Sequence, residues 1–237
     1  MSQIIQSEDL KEILSRDEIE LFKKLQKIMI EINNETNLTR LVEGDNYWIS
    51  QVYDSIWPFY FSPNKRKENK KFIDIGSGCG FPGIAYSITH PNSEVYLVDS
   101  SRKKTDALRK IIKALDYSNK IFVLHDRIEK LAHNSAYRNK FDIGATRAVG
   151  LPSTVAEYIL PMLKEGGTGL LYCGKWTNID EVKIKNSLNI LKGSIREIKR
   201  TNLPEGKGER NVIFIKPDKN CPNSYPRAIG KPAKYPL

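Results

Sequence analysis

Apolar residues recur at helical spacing from Leu21 through Phe22, Leu25, Ile28 and Met29 to Ile32, the stripe of one amphipathic helix. Ser15 and Glu18 ahead of it form a capping box, and Asn33–Asn37 supplies the stop. A second helix is predicted from Tyr47 to about Tyr60, and the two together read as an N-terminal helical cap over residues 1–61. A polar, basic connector, Ser62–Lys71, follows. Beyond it the pattern alternates between short apolar runs and amphipathic stretches. Strands are predicted at Phe72–Ile75, Val95–Val98, Ile121–Leu124, Phe141–Ala145 and Gly169–Cys173. Helices are predicted from Pro82 to about Thr89, then over Arg102–Leu115, Ser153–Leu163 and near Asn178–Leu191. Such alternation implies a parallel sheet with helices on both faces, an α/β Rossmann-like domain over residues 62–237. Ser194–Arg200 and Asn211–Lys216 have no helix between them, so they should pair antiparallel. The proline-rich tail from Pro217 should be extended.

The first predicted strand carries the most specific chemistry. Phe72-Ile73-Asp74-Ile75 runs into Gly76, Gly78, Gly80 and Gly83, a loop whose backbone can bend tightly and approach a ligand. Open α/β sheets bind ligands beyond the carboxyl ends of their strands, where Asp74 and Asp99 fall. Three readings compete: a glycine-rich turn without a ligand, a dinucleotide loop, and a loop for S-adenosylmethionine. The spacing Gly78, Gly80, Gly83 satisfies the dinucleotide string, and Asp99 could take ribose hydroxyls. Pro82 removes one amide from the helix start, where a pyrophosphate would bind. An α-amino cation and a ribose, by contrast, suit acids ending the first two strands. Asp99 could also be a plain helix cap before Ser100 and Ser101. Arg147, ending the fourth strand, is placed for an anion or for a structural ion pair.

Charge changes the picture on the substrate side. The net charge is +10, yet residues 1–60 carry 6 Lys/Arg against 11 Asp/Glu. The remainder carries 32 against 17, a surface that attracts a polyanion, foremost nucleic acid. Lys65, Arg66, Lys67, Lys70, Lys71, Arg102, Lys103 and Lys104 are candidate phosphate contacts, as are Lys207, Arg210, Arg227, Lys231 and Lys234. Three scattered cysteines and three histidines show no metal-ligand spacing. No apolar run nears the ~20 residues of a membrane span, and no signal core opens the chain, so a cytoplasmic protein without a membrane partner is expected.

The run Asp74-Ile75-Gly76-Ser77-Gly78-Cys79-Gly80-Phe81-Pro82-Gly83 resembles the cofactor loop of the RsmG (GidB) methyltransferases, with Phe81-Pro82-Gly83 its distinctive end. Asn37-Leu38-Thr39, Asp54-Ser55, Val98-Asp99-Ser100 with Lys103, Arg127-Ile128-Glu129, Thr146-Arg147-Ala148 and Tyr225–Pro232 resemble further segments of that family, over roughly residues 37–237. The resemblance implies a class I methyltransferase that uses S-adenosyl-L-methionine to methylate N7 of one guanosine in 16S ribosomal RNA. It implies cofactor contacts from Gly76, Phe81, Asp99, Ser100, Ser101, Ile128, Glu129 and Arg147; Asp126, just after the third predicted strand, is a rival adenine contact. It also implies 16S rRNA or a small-subunit particle as partner; a monomer is expected. An NAD-dependent oxidoreductase and a non-catalytic rRNA-binding or assembly factor are the alternatives.

One departure bears on mechanism. The family commonly has His three residues before the Asp of its "DS" motif, and Gln51 stands there. Guanine N7 attacks with a ring lone pair and loses no proton, so no general base is obligatory and no catalytic acid or base is assigned. Alignment of N7 with the methyl carbon is the main requirement, and such positioning is worth ~7–11 kcal/mol. No metal is needed for it.

Overall fold

The structure is a computed structural model that describes residues 8–60, 68–116 and 120–237. Residues 62–67 of the expected connector, with Lys65, Arg66 and Lys67, lie outside the described residues. Among the described residues seven strands form one sheet: β1 (Lys71–Ile75), β2 (Glu94–Asp99), β3 (Ile121–His125), β4 (Phe141–Arg147), β5 (Leu163–Cys173), β6 (Gly193–Leu203) and β7 (Gly208–Pro217). Their order is β3-β2-β1-β4-β5-β7-β6. The first five are parallel, while β7 runs antiparallel between β5 and β6. A parallel sheet closed by an antiparallel hairpin is the class I methyltransferase arrangement.

Two-residue alternation along each strand divides the core into two layers. Phe72, Val95, Leu97, Ala145, Leu170 and Phe214 pack on one face, and Ile73, Ile75, Val98, Leu171 and Ile213 on the other. The first layer is covered by α5 (Gly83–Thr89) and α6 (Arg102–Leu115), the second by α8 (Pro152–Ile159) and α9 (Asn178–Leu191). Before the sheet come α1 (Glu8–Ile13), α2 (Arg16–Thr36), α3 (Gly44–Tyr47) and α4 (Asp54–Tyr60). The expected capping box opens α2: Glu18 donates its amide to Ser15 Oγ at 3.3 Å, and Ser15 donates its own amide to Glu18 at 2.7 Å. Phe22, Leu25 and Met29 of α2 share the first core layer, and α2 packs on α6 and α5.

Several boundaries differ from the sequence expectation. The helix expected over Tyr47–Tyr60 is interrupted by π-helical backbone at Trp48–Tyr53, ahead of α4. The helix expected to reach Leu163 ends at Ile159, followed by a 3₁₀ turn at Leu160–Met162 that contains Pro161. Leu163 instead opens β5, six residues before the expected start, because Leu163 pairs with Phe141 of β4. Two short helices were not anticipated, α7 (Ile128–Leu131) and α10 (Lys231–Lys234). The tail is therefore not simply extended: Cys221, Pro226 and Pro232 are buried and α10 is a helical turn.

Candidate functional site

The carboxyl ends of β1, β2 and β4 open into two adjoining cavities. The larger, about 560 Å³, lies between the glycine loop, the cap and β5. The smaller, about 320 Å³, lies between β2, the start of α7 and the tail. Gly76, Lys104 and Ala148 line both, which makes them the junction.

The loop is built by backbone requirements. Gly76 has φ +72, and a Cβ there would lie 2.6 Å from Val149 Cγ2. Its amide donates to Val98 O at 2.8 Å, tying the loop to β2. Ala148, just past β4, also adopts a left-handed conformation, φ +58. Such backbone costs a non-glycine residue about 1–2 kcal/mol and concentrates at ligand sites.

Asp74, taken from sequence as a cofactor-facing acid, lies beneath the loop rather than in a cavity. It is fully buried and accepts the Gly83 amide at 2.9 Å. A Cβ on Gly83 would collide with Leu97 Cδ2 and lie 2.9 Å from Asp74 Oδ2, so glycine is needed for this closure. Burial pushes the Asp74 carboxyl up to about 7, against the Gly83 amide and the charge of Arg147, which lower it.

Asp99 does face the smaller cavity. Its two oxygens accept the amides of Gly78 at 2.9 Å and Ser101 at 2.8 Å, and Lys104 Nζ stands 4.0 Å away. An ionised carboxylate offers about four acceptor positions, so capacity for a diol remains. Ser100, Asp126 and Ile128 line the same cavity. Ser101 instead caps α6, accepting the Lys104 amide.

Glu129 is buried, and its carboxylate is turned to Arg127 at 2.6 Å, the Gly230 amide at 3.0 Å and the Tyr158 hydroxyl at 3.4 Å. Burial raises its pKa, but the Arg127 and Gly230 hydrogen bonds outweigh that and hold it below the ordinary glutamate range.

Phe81 and Arg147 border the larger cavity, with the guanidinium 5.9 Å from the Phe81 ring centroid. Arg147 donates to Ser50 O at 2.9 Å, to Asp54 at 3.4 Å and to Gln51 Oε1. Arg210 of β7 reaches the same Asp54 at 3.3 Å. The cap is thus fastened to the sheet by two arginines on one buried carboxylate. Gln51 also donates to Cys79 Sγ at 3.3 Å and Thr39 Oγ1 at 3.4 Å, so the position where the family commonly has His serves here as a polar strut.

Among the described residues no histidine lines either cavity. Cys173 lines the larger one, but burial pushes its thiol up to about 12, so it is no nucleophile near neutral pH. No cluster of His, Cys, Asp and Glu suited to a metal occurs among the described residues.

The basic candidates divide sharply by position. Lys104 and Arg210 line the larger cavity. Lys70 and Lys71, at the opposite end of β1, pair with Glu68, Asp142 and Glu94. Arg227 grips the fully buried Glu157 at 2.7 Å. Tyr172, which lines the cleft and donates to Ser55 O at 2.7 Å, was not singled out from sequence, where it reads as an ordinary strand tyrosine.

Comparison with known proteins shows the fold and the family. A Methanococcus maripaludis protein assigned as an S-adenosyl-L-methionine-dependent methyltransferase shares the fold, with TM-score 0.54, 15% identity and coverage of 87% of this chain and 95% of that one. The Ribosomal RNA small subunit methyltransferase G of Prochlorococcus marinus subsp. pastoris is 60% identical over 97% of this chain and 96% of its own length. The protein of the same name from P. marinus strain NATL1A is 41% identical over 97% and 92%. The family described as GidB, rRNA small subunit methyltransferase G, matches residues 18–212, and this chain belongs to it.

Proposed function

We propose that this chain is an S-adenosyl-L-methionine-dependent enzyme that methylates N7 of a specific guanosine in 16S ribosomal RNA. The observation that carries the reading is the pair of cavities meeting at Gly76 and Ala148. The smaller suits the adenosine part of the cofactor: Asp99 accepts ribose hydroxyls, Ser100 lies beside it, and Ile128 offers an apolar wall to a base. Gly76 leaves the space a Cβ would fill, so the loop admits a ligand against its backbone. Phe81 and Arg147 border the space beyond, where the methionine end would reach. Ser101 and Glu129 belong to the same assignment through the backbone they fix. S-adenosylmethionine, when bound, supplies a methyl group on a sulfonium.

The larger cavity receives the guanine. No proton leaves N7, so the residues there need only exclude water and hold the ring in line. The absence of a histidine among its described lining residues, and the protonated Cys173, fit that demand. Lys104 and Arg210 supply positive charge for the RNA backbone at the cavity. Guanine N7 lies in the major groove, which A-form RNA makes too deep and narrow for side chains, so the target is a loop, a distorted segment or an assembly intermediate.

Residues 1–61 act as a cap on the methyltransferase domain of residues 62–237, supplying Thr39, Ser50 and Gln51 to the cleft. The enzyme works as a cytoplasmic monomer on 16S rRNA or a small-subunit particle; among the described residues no helix is long and apolar enough to cross a membrane. The test is transfer of labelled methyl from S-adenosylmethionine to 16S rRNA and to small-subunit particles, with modified nucleosides mapped by mass spectrometry. Absence of 7-methylguanosine in both substrates, from a protein that binds the cofactor, would exclude the reading.

A further inference from the structure

The smaller cavity has a wall that the strand ends do not provide. Ala233, on α10, lines it together with Asp99, Ser100 and Ile128. That places a residue from the helical turn of the tail at the same cavity as the end of β2, beside the space assigned above to adenosine.

The tail is held in this position by hydrogen bonds from several other elements. Arg138 donates to the carbonyls of Cys221 at 2.8 Å, Pro222 at 3.1 Å and Tyr225 at 2.8 Å. Arg227 forms a two-pronged pair with Glu157, Nε to Oε1 at 2.9 Å and Nη2 to Oε2 at 2.7 Å, and its amide also donates to Glu157 at 2.7 Å. Glu157 is fully buried on α8, and among the described residues its carboxylate is held by this arginine and its amide, a geometry that fixes the tail's path tightly. The Gly230 amide then donates to Glu129, whose neighbour Ile128 is itself a lining residue, and Thr154 Oγ1 donates to Pro232 O at 3.0 Å.

We infer that the tail from Cys221 to Lys234 is a fixed wall of the cofactor cavity, and that Glu157, Arg227 and Glu129 are positioning residues that set cofactor affinity through it without touching the cofactor. This gives Glu129 a role distinct from an adenine contact: its carboxylate joins α7 to α10 and so holds Ile128 and Ala233 on the two sides of one cavity. The inference rests on the proposal that this cavity takes S-adenosylmethionine.

Cofactor binding by calorimetry and steady-state methyl transfer, measured on the full chain, test it together. Arg227→Lys keeps the charge opposite Glu157 but cannot reproduce the two-pronged contact. Its dissociation constant for S-adenosylmethionine is expected to rise about tenfold, with the KM for cofactor rising more than kcat falls, because a loosened wall weakens preorganised binding. Ala233→Trp alters a residue that is exposed and lines the cavity, so the added bulk is placed at the site without a core position being changed. It is expected to weaken cofactor binding by at least that factor while the unfolding midpoint stays near that of the unaltered protein. If both variants bind S-adenosylmethionine as tightly as the unaltered protein, the tail is not a wall of the site and the inference falls. An unaltered protein that fails to bind S-adenosylmethionine overturns the assignment of the cavity itself, a different failure seen before any variant is made.

Discussion

Gly83 donates its backbone amide to the carboxylate of Asp74 across 2.9 Å, joining the start of α5 to the end of β1 beneath the glycine loop. This bond makes the acid part of the loop's foundation. Its second oxygen, Oδ1, is buried and has no hydrogen-bond partner among the described residues, which favours the neutral acid. Burial accordingly raises the carboxyl from 3.8 to about 7. A group whose folded pKa lies above its unfolded value stabilises the fold fully below about pH 3.8, and that contribution is lost as pH rises through about 7. Over that interval the loss is on the order of a few kcal/mol. Asp74→Asn keeps an oxygen for Gly83 and cannot ionise. The stability of the unaltered protein relative to Asp74→Asn is therefore expected to fall by that order between about pH 4 and 8, measured by denaturant unfolding at each pH. Parallel curves for the two proteins would mean that Asp74 does not titrate in this range.

Gly76→Ala places a methyl 2.6 Å from Val149 Cγ2 at a position of φ +72. The left-handed backbone costs about 1–2 kcal/mol and the contact adds to it. Because Gly76 lines both cavities, the loss of cofactor binding is expected to exceed the loss of stability. Calorimetric titration with S-adenosylmethionine, alongside thermal unfolding, should show a folded protein with no measurable binding. Retained affinity would remove the loop from the cofactor site.

The strand periods, the glycine loop and Asp99 were legible in the sequence because each is local: two-residue alternation, backbone freedom and an acid at a strand end. The cap's fastening was not. Arg147 and Ser50 are 97 residues apart, and neither spacing nor composition indicates that a strand-end arginine will meet a helix carbonyl. The sequence left Arg147 open between an anion site and a structural pair, and the structure shows it serving Ser50, Gln51 and Asp54 while bordering the cavity. Asp74 misled for a related reason, since strand position alone does not tell whether a loop will fold over the acid. Prolines in the tail suggested extension, whereas Glu157, Arg138 and Glu129, scattered over other elements, decide its path.

Gln51 holds Arg147, Cys79 and Thr39 in one corner of the larger cavity. If that corner acts by position alone, Gln51→His should keep methyl transfer within about threefold, since imidazole can also serve as a short polar strut. Gln51→Leu leaves Arg147 without one acceptor and is expected to lower kcat/KM about tenfold, the value of one charge-assisted hydrogen bond. The pH profile separates the two roles. A histidine acting as a base would impose a limb near its pKa of about 6.5, so Gln51→His should give the same profile as the unaltered protein.

Lys104 stands where the two cavities meet, exposed, with Asp99 at 4.0 Å. Phosphate contacts are read most directly from salt dependence, because each neutralised phosphate releases counterions on binding. Lys104→Gln is therefore expected to weaken binding of 16S rRNA and to lower the slope of log K against log salt by about 0.7–0.9. Lys71→Gln, altered at the opposite end of β1 where the lysine faces Glu94, should leave that slope unchanged. The two substitutions remove the same charge from the same basic surface, so a difference between them reports where RNA lies and not how positive the protein is. Equal slopes in both would place the RNA path away from the cavity mouth, and the cavity would then have to receive its guanine from RNA anchored elsewhere on the basic surface.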